Sequence, residues 1–212
     1  MKKIIITFII NLVVLLHADE LFDQATQASL AGNYTKAYTL MRNASQKGNI
    51  YAQVNLGLMY EHGQGVTQDH QKAKYWYEKA ADQGDAKAQY NLGLMYEYGK
   101  GLNQDSIKAL NWYQKAADQG SIDAQYHLGD IYYEGNGLKQ DLPKASYWYK
   151  RAADSGLASA QYKLGSMFVN GQGVKLNKIV AFQYWMKAAR QSHLKAQQSL
   201  DRLCRESPWA CL

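Results

Sequence analysis

The chain is predicted to be all-α, an α-solenoid of helix-turn-helix units, and three observations predict it. The text repeats every 36 residues, so that Leu56-Gly57 returns as Leu92-Gly93, Leu128-Gly129 and Leu164-Gly165. A glycine-x-glycine turn recurs on the same register at Gly63/Gly65, Gly99/Gly101, Gly135/Gly137 and Gly171/Gly173, with an apolar-periodic stretch on either side. The composition, 47% apolar with two prolines in 212 residues, suits a packed helical chain and argues against disorder. A fixed period of this size with two helices in each marks hairpins that stack into one continuous core.

The first 18 residues stand apart from that pattern. Lys2 and Lys3 precede an apolar run from Ile4 to Leu16, and Ala18 is a small residue just before Asp19. This order suits a secretory signal peptide cleaved near Ala18. An uncleaved anchor is the rival, but a run of about 13 residues is short for a bilayer. No cysteine lies near the cut to carry a lipid. Removing Lys2 and Lys3 takes the formal charge from +6 to +4, and the remaining lysines are interspersed with acids. That leaves no footprint for nucleic acid and none for stable membrane insertion.

Residues 19–50 read as a degenerate first unit, its first helix running roughly from Asp19 to Leu30 and its second helix carrying Asn33, Lys36-Ala37, Ala44 and Gly48 on register. Full units follow at 52–87, 88–123 and 124–159, with a looser one at 160–192, in which Tyr184 takes the tryptophan slot and Trp185 stands one place along. Residues 193–212 form a capping helix and tail, where Asp201 replaces the glycine of Leu-Gly and Ser192 the glycine that closes earlier units. Terminal repeats are expected to be atypical, because one face of each meets water. Cys204 and Cys211 flank Pro208 in the tail. In an exported chain they suit a disulfide, the alternative being two free thiols.

Asn33, Asp69, Asp105, Asp141 and Asn177 stand where the second helices begin, and their side-chain oxygens suit N-caps. Gly84, Gly120 and Gly156 stand where those helices end and suit a left-handed residue. Gly57, Gly93, Gly129 and Gly165 lie inside first helices, which is costly unless neighbours approach closely there. Trp76, Trp112 and Trp148, with Tyr77, Tyr113 and Tyr149, supply large surfaces for the core.

The pattern Ala-Gln-x-x-Leu-Gly-x-x-Tyr, Gly-x-Gly, Asp-x-x-Lys-Ala-x-x-Trp-Tyr-x-x-Ala-Ala resembles the Sel-one-like repeat (SLR), a relative of the tetratricopeptide repeat, from about Ala52 to Gln191. The resemblance implies a right-handed superhelix whose first helices line a concave, protein-binding surface. It also implies adaptor or host-contact roles for exported members, and β-lactam hydrolysis for some cysteine-rich ones. This chain lacks the cysteine pair in every repeat that marks those hydrolases.

No catalytic constellation is expected. His62, His70, His127 and His193 occupy four different repeat slots without metal-ligand spacing, so neither a metal nor a cofactor is implied. Ser192 and Lys195 match Ser-x-x-Lys, but the companion motifs of a serine β-lactamase are missing. The informative positions are those that drift between copies. Residues i, i+3 and i+7 of each first helix share a stripe. It reads Asn55, Leu58, His62; then Asn91, Leu94, Tyr98; then His127, Asp130, Glu134; then Lys163, Ser166, Asn170. Either this is a tolerant solvent face or it is a groove that reads another protein or peptide. The reading favoured by the sequence is a monomeric, periplasmic or secreted binding scaffold, an adaptor or immunity-type inhibitor, with a host-contact factor or a β-lactam hydrolase as alternatives.

Overall fold

A computed structural model describes residues 2–135 and 139–211, with side chains at residue 14 and from 16 onward. Gly137, of the third glycine pair, lies outside the described residues. Among them are eleven α-helices: α1 Lys2–Leu30, α2 Tyr34–Gln46, α3 Ile50–His62, α4 His70–Asp82, α5 Ala86–Tyr98, α6 Ser106–Asp118, α7 Ile122–Glu134, α8 Leu142–Asp154, α9 Ala158–Asn170, α10 Lys178–Ala189 and α11 Leu194–Glu206. A single 3-10 turn, Pro208–Ala210, follows. The chain divides into two compact units, one ending at Trp112 and the other beginning at Tyr113, inside α6. Helix α1 starts at Lys2 and not near Asp19, since no glycine or proline interrupts the stretch up to Leu30.

The expected caps form. Asn33, Asp69, Asp105, Asp141 and Asn177 each accept from the N–H three residues on, at 2.9–3.1 Å. First helices have caps that the sequence reading did not name. Asn49, Asp85, Ser121 and His193 accept from Ala52, Ala88, Ala124 and Ala196, while Leu157 before α9 makes no such bond. Gly84, Gly120 and Gly156 lie at φ 90, 91 and 96°, as the left-handed end of a helix requires.

The glutamine of each Ala-Gln pair has a physical task. Gln53, Gln89, Gln125 and Gln161 are buried, and their side-chain N–H groups donate to the carbonyls of Ser45, Ala81, Ala117 and Ala153 at 3.1–3.3 Å. Those carbonyls sit in the last turn of the preceding second helix, where no intrahelical donor remains. The pair thus joins one hairpin to the one before it.

Two glycine positions show why nothing larger fits. A Cβ on Gly57 or Gly129 would stand 2.5 Å from ring carbons of Tyr77 or Tyr149, so the two helices of a hairpin meet there. A Cβ on Gly65 or Gly173 would strike the backbone carbonyl of Tyr34 or Leu142, the first residue of the preceding second helix. Tyr77, Tyr113 and Tyr149 are fully buried, whereas Trp76 and Trp112 are only partly so. Tyrosine therefore fills the centre of the α3–α4 and α7–α8 hairpins. In the last hairpin Trp185 stands in the tyrosine slot, buried against Gly165.

Candidate functional site

The drifting stripe divides by depth. Of its first members, Asn91 is buried, while Asn55, His127 and Lys163 are half-buried. Its middle members, Leu58, Leu94, Asp130 and Ser166, are half-buried, and its last members, His62, Tyr98, Glu134 and Asn170, are exposed.

Part of the stripe is engaged inside the protein. Asn55 and Ser166 donate to carbonyls of their own helices, at Tyr51 and Tyr162. His127 stacks on Tyr113 at 5.3 Å between ring centres. Asp130 accepts from the Tyr149 hydroxyl at 2.6 Å and lies 3.4 Å from the Lys163 ammonium, which also sits over the Tyr133 ring. The Asn91 side-chain nitrogen is buried without a hydrogen-bond partner. Leu58 packs against the core of the first unit.

A second polar group stands beside the stripe. The Tyr77 hydroxyl donates to Glu61 at 2.8 Å, and Lys100, from the loop after α5, reaches the same carboxylate at 2.8 Å. Burial pushes the Glu61 carboxyl up, but the hydrogen bonds from Lys100 and Tyr77 outweigh it and hold the group below its ordinary range. Burial and the neighbouring Glu61 charge push the Tyr77 phenol up. Burial and Asp130 do the same for Tyr149, and they raise Tyr126 to about 12. These groups hold hairpins together and have no proton to exchange near neutral pH.

Histidines and the Ser-x-x-Lys match are placed as follows. His62 is exposed, His70 half-buried, and His193 caps α11 while stacking on Tyr162 at 4.9 Å. Ser192 has φ 63°, the one non-glycine positive φ among the described residues, in the turn before α11. It occupies the slot of Gly84, Gly120 and Gly156. Cys204 and Cys211 form a disulfide that ties the tail to α11. Among the described residues no helix is long and apolar enough to cross a membrane.

Residues that the sequence reading missed lie at the end of the chain. Ser199, Arg202 and Glu206 of α11 stand 36 residues after Lys163, Ser166 and Asn170, so the stripe has a fifth member. The register alone could have found them. They share a pocket of about 340 Å3 with Val169, Asn170, Lys178, Trp185 and Leu203.

Comparison with known proteins agrees with this architecture. The family model for the Sel1 repeat matches residues 27–49, 50–85, 86–121, 122–157 and 158–193. A solved protective antigen of uropathogenic Escherichia coli, described as displaying an SLR fold, is 29% identical with a TM-score of 0.86 over 89% of this chain and 41% of its own. A Sel1 repeat protein from Oxalobacter formigenes is 38% identical with a TM-score of 0.76, over 80% of this chain and 49% of its own. An ERAD-associated E3 ubiquitin-protein ligase component of Candida glabrata is 47% identical over 47 residues, 22% of this chain and 6% of that protein. The chain thus spans less than half the length of each. The predicted all-α solenoid of 36-residue helical hairpins is the fold of this chain.

Proposed function

The chain belongs to the Sel1 repeat family, and from that premise we propose that it is an exported scaffold that holds another protein or peptide on the drifting face of its first helices. The observation that carries the reading is Tyr98, 61% exposed at the end of α5, one turn and more beyond the half-buried Leu94. Large aromatic and aliphatic groups left open beside polar neighbours are what a protein-binding face presents. The hydrogen bonds of the hairpins already account for Gln89 and Asp105 in the same repeat, whereas no such bond engages Tyr98. Binding is by shape and side-chain complementarity, with no chemical step. The leader-like start and the Cys204–Cys211 disulfide support export to the periplasm or beyond. An adaptor and an immunity-type inhibitor both fit a monomer of this kind. A host-contact factor differs from them in that it would be recovered from the medium.

The test is affinity capture from the producing cell and its medium. Leu94→Ala with Tyr98→Ala is expected to reduce recovery of the captured protein about tenfold, as loss of an interface anchor does. Tyr75→Ala with Tyr147→Ala, which removes exposed tyrosines of the second helices, is expected to leave recovery unchanged. Equal recovery from both variants overturns the proposal.

A further inference from the structure

The pocket beside α11 lies where Trp209 stands on the register of the second glycine of a turn. In three preceding turns the second glycine settles on the first residue of the second helix before it: Gly65 on Tyr34, Gly101 on His70 and Gly173 on Leu142. For α10 that first residue is Lys178, and the residue on register with the glycine is Trp209. A tryptophan cannot make the approach that leaves no room for a Cβ. The chain instead turns away through Pro208–Ala210, held by the disulfide, and Trp209 remains 59% exposed. The Ser207 hydroxyl reaches Lys178, accepting from its ammonium at 2.7 Å.

The lining has a definite chemistry. Trp185 and Leu203 are buried and form an apolar floor, and the Trp185 N–H is already committed to the Tyr162 carbonyl at 3.0 Å. Lys178 and Arg202 bring two positive charges, and among the described residues neither has a carboxylate within ion-pairing distance. Glu206 brings one negative charge, and Ser199 and Asn170 bring neutral polar groups. Two cations against one carboxylate leave a single positive charge, which matches a monoanion better than a dianion such as phosphate. At about 340 Å3 the space suits a side chain with its attached charged group.

We propose that this pocket takes a carboxylate of the bound peptide or protein, paired with Lys178 and Arg202, with the apolar part of the same residue resting on Trp185 and Leu203. The inference rests on the reading of this protein as a binding scaffold, and it places one end of the partner at the end of the array.

Three acetylated tripeptides titrated into the full chain test it: Gly-Ala-Leu with a free carboxylate, the same peptide amidated, and amidated Gly-Glu-Leu. The readout is the nitrogen-15 shift of the Trp185 indole. The free acid is expected to move that resonance saturably, and the amidated Gly-Ala-Leu is not. If amidated Gly-Glu-Leu also binds, the carboxylate is taken from an acidic side chain as well as from a chain end, and the proposal stands. Arg202→Gln and Lys178→Gln are each expected to weaken binding about tenfold. Glu206→Gln is expected to tighten it, an opposite sign that misfolding cannot produce. Equal binding of acid and amide, no saturable shift with any peptide, or an unchanged constant in Arg202→Gln overturns the proposal. A chain that binds no peptide but still loses its captured protein through Leu94→Ala with Tyr98→Ala sinks the pocket alone. The converse result sinks the face and leaves the pocket.

Discussion

The hairpin α3–α4 and the hairpin α7–α8 bury the same tyrosine and satisfy its hydroxyl differently. Around Tyr77 the acceptor is Glu61, in the last turn of α3, with Lys100 closing over it. On register with Glu61, the helix α7 has Tyr133, and the acceptor for Tyr149 is Asp130, three residues earlier. In the last hairpin the tyrosine itself is gone. Trp185 donates to a backbone carbonyl, and the two acceptor slots hold Ser166 and Val169. A buried hydroxyl demands a partner, but positions three apart on a helix reach the same neighbour. Drift in the stripe is therefore partly compensation inside the scaffold, and Asp130 serves packing as well as the face.

Removing the shared feature should have the largest effect. Tyr77→Ala and Tyr149→Ala each empty a fully buried site and are expected to destabilise by about 3–5 kcal/mol in urea denaturation. The comparison requires similar losses in both; a difference of more than about 2 kcal/mol would show that the hairpins do not use the ring alike.

Moving the acceptor is a smaller and sharper test. Glu61→Tyr should cost about 1–3 kcal/mol, since the Tyr77 hydroxyl is left without its acceptor. Adding Leu58→Asp reproduces the arrangement of α7 in α3 and should recover much of that loss. If the double variant is no more stable than Glu61→Tyr alone, the acceptor cannot change its address, and the two hairpins differ for another reason.

The smallest effect isolates the charge. Glu61 is held below the 4.5 ordinary for glutamate, so the unfolded chain binds its proton more readily than the folded one. The stabilisation is complete above about pH 4.5 and is lost as the pH falls through the lowered value. The stability gap between the natural chain and Glu61→Gln should accordingly narrow below pH 4.5. A gap constant from pH 7 to pH 3 would mean that the hydrogen bonds matter and the charge does not.

Many elements of each hairpin were legible in the residues. Asp69 and Asp141 announce helix starts because an N-cap needs an acceptor three residues before the N–H it serves, and both ends are local. Gly57 announced a close approach, though not that the ring of Tyr77 would be the neighbour. The glutamine of Ala-Gln was visible as a motif but not as a cap for the helix before it, because its acceptor lies eight residues upstream, across a turn. The sequence set all twelve stripe residues on one variable face; of these Tyr98 is exposed, whereas Asn91 is buried and Asp130 accepts from Tyr149 of the next helix.

By itself the sequence determined the period, the helical hairpin and the caps of the second helices, since each depends on contacts within one repeat or on its identical copies. The tertiary structure alone decided which variable residues stay open and which are spent on neighbours. It also decided that the Cys204–Cys211 tail leaves a charged pocket between Lys178 and Arg202. Those outcomes depend on packing between helices that no local spacing encodes.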